Sequence, residues 1–326
     1  MSFQFAFRGD DIAGSPPRRA SISTHSSGAV SLGPEFIPTL YSIEELLPKQ
    51  PMRISFENVE IPVESGHIKI ARRDLYDVKY QLMKQDKLDA TEEILLRTNE
   101  DVKALTYEGG LKVWECTTDL VRYLHSQVGG YIDRYKTILE LGCGAGWPSA
   151  YLLAQILRAD NATSGKTTLI LADYNKTVLR LGTVINMFLT WRLVVKQIHE
   201  EGEVDLTPEV LNEFVEDLKR RSIELKFISG GWSQELVDLV GPKCDLVLAS
   251  ETLYSRESIP AFTDTLLGTL NPLSGHGLVA SKMIYFGVGG GIVEFSEALD
   301  RLGAHGETVF EDREGVGRAI LKVHIQ

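Results

Sequence analysis

The chain has 326 residues, enough for one large domain and an extension, and its 43% apolar and 24% charged residues are typical of globular proteins. Its net charge of −11 argues against binding nucleic acid by phosphate neutralisation and favours a basic protein or peptide as partner. The three cysteines (Cys116, Cys143, Cys244) lack metal-ligand spacing, and this number is ordinary for a reducing compartment.

Residues 1–50 are predicted to form a mostly disordered tail, because they are rich in Ser, Gly, Pro and Thr. The alternating Phe3, Phe5 and Phe7 leave open a short docking strand or linear motif. The tail lacks the basic segment and apolar core of a secretory signal, and no apolar stretch of the chain approaches the length of a membrane span. We therefore expect a protein of the cytoplasm and nucleus that does not act at a membrane.

Residues 51–106 are predicted to form an N-terminal extension that packs on the core. Strand-like fragments lie between residues 54 and 70, and the patterns over Asp74–Gln85 and Thr91–Leu105 predict helices. The catalytic core is expected over residues 107–326.

The most informative stretch follows a β-prone apolar run at 137–139. It consists of an acidic residue and three glycines at a spacing of two: Glu140, Gly142, Gly144 and Gly146. Glycine has no Cβ, so such a turn lets backbone N–H groups approach a ligand. A helix is predicted to start at once, since Pro148 suits a first helical turn. The dinucleotide fingerprint would need glycine at 147, where this chain has tryptophan; the E-x-G-x-G-x-G pattern instead resembles motif I of class I methyltransferases, which bind S-adenosylmethionine.

A second buried strand is predicted over Thr167–Asp173, and it ends in a carboxylate. An acidic residue in this place can accept hydrogen bonds from both ribose hydroxyls of an adenosine. Asp173 can also cap a helix that starts near Asn175. Both roles are compatible, and the preceding glycine turn favours the ligand role.

Strands alternate with helical segments through the rest of the core. Further strands are predicted at 224–229, 245–250, Gly277–Lys282, Thr308–Phe310 and Arg318–His324. This alternation predicts a mostly parallel sheet, and the short glycine-containing loop at 314–317 predicts a closing hairpin. Between them, Glu200–Asp217 holds eight acidic residues in a helical pattern without Lys or Arg. It is interpreted as a solvated amphipathic helix, with an acidic face for a basic partner as the alternative.

Five longer strings also stand out: Y-E-G-G-L-K-V-W-E-C-T (107–117), D-Y-N (173–175), I-S-G-G-W (228–232), L-A-S-E-T-L-Y (248–254) and S-K-M-I-Y-F-G-V-G-G-G (281–291). Together they resemble one family, the eukaryotic histidine protein methyltransferases. The M-S-F-x-F start resembles fungal members. The resemblance implies an α/β fold of the Rossmann-like class I type, with a seven-stranded, mostly parallel sheet, an antiparallel C-terminal hairpin and an N-terminal extension. It further implies methyl transfer from S-adenosylmethionine to a histidine of a large-subunit ribosomal protein.

The resemblance also assigns cofactor contacts to residues of these strings. With the acidic residue and glycines of motif I, the predicted cofactor-binding residues are Val113, Trp114, Glu115, Cys116, Thr117, Glu140, Gly142, Gly144, Gly146, Ala172, Asp173, Tyr174, Gly231, Trp232, Ser233 and Ser250. The tryptophans offer aromatic faces to adenine or to the sulfonium, although a buried core position explains either one equally well. No metal is expected.

Catalytic roles are hypotheses drawn from the chemistry. A neutral imidazole needs only alignment with the methyl group, whereas a lysine must first lose a proton. Glu251 is predicted to hydrogen-bond the far ring nitrogen, and Tyr254 or Tyr285 to fix the ring plane; a capping role for Glu251 and a core position for Tyr285 are the alternatives. The chain lacks the N/D-P-P-Y/F string of many amide and base methyltransferases, which disfavours DNA adenine or glutamine as the substrate.

Two other functions remain open, a lysine methyltransferase of the same branch and a non-catalytic binding protein for ribosome assembly. The intact glycines and Asp173 argue against a dead pocket. We expect a monomer whose partner is a basic large-subunit ribosomal protein, without direct binding of nucleic acid.

Overall fold

The computed structural model describes residues 36–47, 50–97, 109–127, 135–159, 165–287 and 289–325. Several predictions fall outside them: the tail up to residue 35 with its phenylalanine alternation, the end of the helix predicted to reach Leu105, and the Tyr107-Glu108 pair.

The described residues form eleven strands and eleven helices, one of which is a single short turn. The strands are β1 (Thr39–Ser42), β2 (Arg53–Val63), β3 (Gly66–Arg73), β4 (Thr137–Leu141), β5 (Thr167–Asp173), β6 (Gly202–Asp205), β7 (Ile223–Ser229), β8 (Leu246–Ser250), β9 (His276–Lys282), β10 (Ala304–Asp312) and β11 (Arg318–Ile325). The helices are α1 (Ile43–Leu46), α2 (Leu75–Met83), α3 (Ala90–Arg97), α4 (Glu115–Ser126), α5 (Trp147–Arg158), α6 (Lys176–Val178), α7 (Val184–Val195), α8 (Pro208–Arg220), α9 (Gln234–Val240), α10 (Ile259–Thr269) and α11 (Ile292–Arg301).

Eight strands form one mixed sheet in the order β1-β7-β5-β4-β8-β9-β11-β10. The five central strands, from β7 to β9, are parallel, while β11 runs antiparallel to both β9 and β10. This arrangement confirms the predicted fold class, a mostly parallel α/β sheet closed by an antiparallel hairpin.

The sheet has one strand more than the seven predicted. β1 pairs antiparallel with β7, from Thr39 opposite Ser229 to Ser42 opposite Lys226. The strand and the α1 helix after it lie in the predicted tail, so the prediction of disorder does not hold for residues 36–47. The prediction was based on the average composition of residues 1–50, which is polar. It missed a short apolar segment, in which Ile43 and Leu46 are buried in the core.

The central strands are apolar along their whole length because both faces of the sheet are covered. In β5, Leu169 and Leu171 point into one core, while Ile170 and Ala172 point into the other. Helices α4, α5 and α7 contribute to the first core, and α9, α10 and α11 to the second. Because the central strands are parallel, the polar residues that follow them lie together at the carboxyl edge of the sheet.

The extension forms a second, three-stranded sheet in the order β3-β2-β6. β6 was not predicted, since the acidic segment was interpreted as helical throughout. Its acidic residues have partners within the chain: Arg53 pairs with Glu203 at 3.3 Å and with Asp205 at 2.6 Å. In α8, the buried Asp217 accepts a hydrogen bond from Trp191 Nε1 at 2.8 Å. At least three carboxylates of the acidic segment are therefore engaged within the chain.

By length and composition, the helical run Lys176–Val195 is long and apolar enough to cross a membrane. The prediction that no apolar stretch approaches the length of a membrane span was therefore wrong. Of the most apolar window of this run, 83% is buried inside the protein, as expected for a core helix. A π-helical turn at Leu179–Thr183 interrupts it. There Thr183 Oγ1 donates to the carbonyl of Gly144 at 2.6 Å, so the helix supports the glycine turn.

Candidate functional site

A cleft opens where the chain changes direction in the sheet. After β4 the chain continues on one side through β5 and β7, and then crosses to the other side at β8. Open α/β sheets bind ligands at such a switch point, outside the carboxyl ends of the strands. The predicted residues that line this cleft are Val113, Trp114, Thr117, Gly142, Gly144, Gly146, Asp173, Tyr174, Gly231, Trp232, Ser250, Glu251 and Tyr254.

The glycine turn after β4 needs glycine for two separate reasons. Gly142, Gly144 and Gly146 have φ angles of +64°, +50° and +70°, a left-handed conformation that other residues rarely adopt. A Cβ on Gly142 would lie 2.6 Å from Thr252 Cγ2, and one on Gly144 would lie 2.6 Å from the carbonyl oxygen of Gly110. The turn is thus held between the loop after β8 and the segment before α4.

Asp173 ties the glycine turn to the end of β5. Its carboxylate accepts the N–H of Gly144 at 2.9 Å and the N–H of Asn175 at 3.0 Å. The N-cap of α6 is Asn175, so Asp173 is not the capping residue. Because Asp173 also lines the cleft, its predicted ribose role is compatible with this geometry and stays a prediction.

Six predicted residues do not line the cleft. They are Glu115, Cys116, Glu140, Ala172, Ser233 and Tyr285. Ala172 is buried and its carbonyl accepts the N–H of Cys143 at 2.8 Å, while Ser233 caps α9. These two residues therefore support backbone segments next to the cleft.

Glu140 lies behind the glycine turn, where it is 1% exposed. Its carboxylate accepts the N–H of Ser149 at 3.0 Å and also the Ser149 hydroxyl, which fixes the start of α5. Burial raises the pKa of Glu140 to about 8. Motif I therefore places this acidic residue in a supporting position.

We expect the free energy of unfolding to depend on pH through Glu140. The unfolded chain releases this proton near pH 4.5 and the folded chain keeps it to about pH 8, so stability falls as pH rises through this interval. Glu140→Gln removes this titration. As pH rises from 4.5 to 8, its free energy of unfolding should increase relative to that of the wild type by a few kcal/mol, at about 1.4 kcal/mol per pKa unit. Urea unfolding of both proteins at several pH values measures the difference; parallel curves would contradict the assignment.

Glu251 follows β8 directly and stands at the centre of a hydrogen-bond network. One carboxylate oxygen accepts the N–H of Cys116 at 3.2 Å, and the other accepts the Tyr285 hydroxyl. Ser281 Oγ in turn donates to the Tyr285 oxygen at 3.2 Å. Glu251 has a φ of +57°, and such strain in a residue other than glycine clusters at functional sites. Its carboxylate is thus fixed in the cleft wall.

The ionisable groups near Glu251 have shifted pKa values. Lys282 Nζ lies 3.1 Å from Glu115, and this bond lowers the pKa of Glu115. Burial raises the pKa of Tyr285, and the nearby Glu251 raises it further, so Tyr285 remains a donor. Burial likewise raises the pKa of the Cys116 thiol. The cysteine is therefore protonated and unsuited to act as a nucleophile.

The two predicted tryptophans have different surroundings. The Trp114 ring lies 4.5 Å from Lys112 Nζ and 5.9 Å from Lys282 Nζ. The Trp232 ring packs edge-to-face on Phe262, with ring centroids 5.7 Å apart. Both side chains are half-buried, so Trp232 combines a core contact with an exposed face in the cleft.

Trp114→Ala and Trp232→Ala should each weaken binding of S-adenosylmethionine by about 1–3 kcal/mol, as for a base stacked on an aromatic ring. Trp232→Ala should also lower the melting temperature, because it removes the contact with Phe262. Titration calorimetry and thermal unfolding separate the two effects. If Trp114→Ala lost stability but no affinity, Trp114 would be a core residue.

Sequence reasoning missed other residues of the cleft. They are Gly109, Gly110, Lys112, Cys143, Ala145, Trp147, Thr252 and Ser258. All but Ser258 lie within or next to the motif strings, which was the available signal. Trp147 Nε1 and Thr252 Oγ1 are buried and have no hydrogen-bond partner among the described residues. Such unmatched polar atoms fit a cleft that binds a polar ligand such as S-adenosylmethionine.

Comparison with known proteins identifies the family. No protein-family model matches the chain. It is 34% identical over 304 residues to histidine protein methyltransferase 1 of Saccharomyces cerevisiae, and the alignment covers 83% of this chain and 80% of that protein. It is 35% identical over 271 residues to histidine protein methyltransferase 1 of Schizosaccharomyces pombe, and that alignment covers 80% of this chain and 76% of that protein.

Among solved structures, the magnesium protoporphyrin IX methyltransferase of a Synechocystis, with bound SAH, aligns with a TM-score of 0.40 and 10% identity. The alignment covers 77% of this chain and 94% of that one. The family assignment depends on the two yeast relatives and not on this likeness. With a third of its residues shared over most of both relatives, the chain belongs to the histidine protein methyltransferase family and is a methyltransferase whose methyl donor is S-adenosylmethionine.

Proposed function

We propose that this protein transfers a methyl group to a ring nitrogen of a histidine in a basic large-subunit ribosomal protein. The observation that carries the proposal is the Glu251 carboxylate. It lines the cleft at the end of β8, and the Cys116 N–H and the Tyr285 hydroxyl hold it in place. A fixed carboxylate suits a substrate ring that donates one N–H and gains positive charge as it reacts.

The chemistry asks little of the protein beyond alignment. When bound, S-adenosylmethionine supplies a methyl group on a sulfonium, which is open to direct displacement by a nitrogen lone pair. A histidine with a pKa of about 6.5 already offers that lone pair at pH 7. Glu251 accepts the N–H of the other ring nitrogen, which selects the reactive tautomer and stabilises the imidazolium that forms. Tyr254, edge-on to Tyr285 with centroids 6.5 Å apart, limits the tilt of the ring.

The ordinary protonation states of the two side chains favour histidine over lysine as the substrate. A lysine with a pKa of about 10.4 arrives as an ammonium and must lose a proton before it can react. A histidine is mostly neutral at pH 7 and needs no such step.

The net charge supports a basic protein as substrate. At −11, the chain attracts a basic ribosomal protein and is repelled by the phosphates of assembled ribosomal RNA. The Glu200–Asp217 segment adds less to this attraction than its sequence suggests, because Arg53 and Trp191 engage three of its carboxylates. We infer that a monomer acts on the free or early-assembling protein, in the cytoplasm and nucleus.

The experiment compares three substrates with one stock of labelled S-adenosylmethionine: isolated large-subunit ribosomal proteins, pre-ribosomal particles and mature subunits. We expect labelling to decrease in that order, and to weaken in high salt because salt screens the attraction. Equal or faster labelling of mature subunits would contradict the charge argument. Binding of ribosomal protein without any labelling would favour a non-catalytic assembly role.

A further inference from the structure

Exposed apolar side chains lie near the cleft, on the segment after β9, at the start of α11 and on the neighbouring β10–β11 hairpin. They are Ile284 (52% exposed), Phe286 (80%), Val293 (51%) and Val316 (40%), and we call them the rim. The hairpin abuts this segment, since the Met283 N–H donates to the carbonyl of Gly317 at 2.7 Å. Interaction sites often expose apolar side chains close together, so the rim is a candidate for one.

The segment that carries the rim is fixed by its glycines. A Cβ on Gly290 would lie 2.4 Å from the carbonyl oxygen of Leu253, and one on Gly291 would lie 2.4 Å from that of Met283. The Gly289 N–H donates to the Tyr285 carbonyl at 3.1 Å, which closes the turn on itself. Phe286 is therefore presented on a backbone that packs directly against the segment after β8, and not on a loose loop.

We propose that the rim binds the stretch of the substrate protein next to the methylated histidine and selects a large apolar side chain one or two residues from it. The inference rests on the proposed function and names the determinant of its substrate specificity. Its occupant is an extended segment of the substrate, and not a second copy of this chain.

The position of Tyr285 between two rim residues carries the inference. Tyr285 reaches inward to the Glu251 carboxylate, while its neighbours Ile284 and Phe286 are exposed. Consecutive Cα atoms are about 3.8 Å apart, so the rim begins within one residue of a side chain that contacts the catalytic group. A histidine that reaches Glu251 must bring its flanking residues over the same place.

Aromatic residues are enriched among the contacts that dominate binding energy. The backbone that carries Phe286 is held in place, so less conformational freedom is lost on binding, which favours such a role. Another exposed aromatic, Tyr76, is 78% exposed on α2 and lines a different groove, and so provides a matched control.

The test compares Phe286→Ser, Phe286→Leu and the control Tyr76→Ser, using the isolated ribosomal protein that the wild type labels best. Phe286→Ser should raise KM for that protein about 10-fold, as expected for a central aromatic contact. Its kcat and its affinity for S-adenosylmethionine, measured by calorimetry, should stay at the wild-type values. Phe286→Leu should recover part of the loss, and Tyr76→Ser should have no effect. Replacing the apolar neighbour of the target histidine with Asp should raise KM for the wild type similarly.

An unchanged KM in Phe286→Ser, or an equal rise of KM in Tyr76→Ser, would contradict the proposed role of the rim in substrate binding. Anisotropy of the fluorescently labelled ribosomal protein measures binding directly, so the rim is tested even without turnover; equal affinity for wild type and Phe286→Ser would also overturn it. If lysine were labelled and KM were raised in Phe286→Ser, the proposed histidine methylation would be wrong, while binding of the substrate protein by the rim would still be supported.

Discussion

Glu251→Gln is expected to lower kcat on the protein substrate about 100-fold, within the range of a lost acid–base or electrostatic contact in the transition state. Glutamine keeps the size of the side chain and an oxygen that can accept the Cys116 N–H, but it lacks the charge that stabilises an imidazolium. Affinity for S-adenosylmethionine should change little, because the proposed partner of the Glu251 carboxylate is the imidazole of the protein substrate. Single-turnover kinetics and calorimetry measure the two quantities.

Tyr285→Phe is the matched control for this prediction. It removes one donor to Glu251 and leaves both the carboxylate and the Cys116 N–H in place. Its kcat should therefore fall less than that of Glu251→Gln. If Glu251→Gln kept wild-type turnover, Glu251 would have only the structural role that its position after β8 also allows.

Gly142→Ala should weaken S-adenosylmethionine binding at least 10-fold. The residue has a φ of +64°, which costs alanine roughly 1–2 kcal/mol, and the new methyl group would lie 2.6 Å from Thr252 Cγ2. Both effects shift the turn whose backbone lines the cleft. Calorimetry measures the affinity, and circular dichroism with thermal unfolding checks that the fold is retained.

A second substitution separates the contact from the backbone strain. Thr252→Ser removes Cγ2, so Gly142→Ala combined with Thr252→Ser should recover part of the affinity while the φ strain remains. Thr252→Ser alone should bind nearly as well as the wild type, since it keeps the hydroxyl. If the double variant bound no better than Gly142→Ala, the contact with Thr252 would not be the cause of the loss.

The fold was predictable from the sequence because its signals are local. The apolar β-prone runs at 137–139 and Thr167–Asp173, and the glycines at a spacing of two, each indicate their structure within a few residues. β1 was missed because its apolar residues are few and lie in a tail of polar composition. β6 was missed because four residues of an acidic segment give a weak strand signal, and the residues of β2 with which they pair, 53–56, are distant in sequence.

The site was predictable only in part, because its contacts join distant residues. The strings located most of the cleft, but no spacing indicates that Tyr285 donates to a carboxylate 34 residues earlier. Nor does a motif show whether its acidic residue faces the ligand or the core. Glu140 belongs to the glycine-turn motif but is buried behind the turn. Glu251 lies outside that motif and lines the cleft.

Identification of the methylated amino acid tests the proposed histidine methylation most directly. Isolated large-subunit ribosomal proteins are incubated with the wild-type protein and labelled S-adenosylmethionine, then hydrolysed completely, and the labelled amino acid is separated by chromatography. We expect label in one N-methylhistidine isomer, at a single site in one basic protein, and greatly reduced label with Glu251→Gln. Label in methyllysine would contradict histidine methylation.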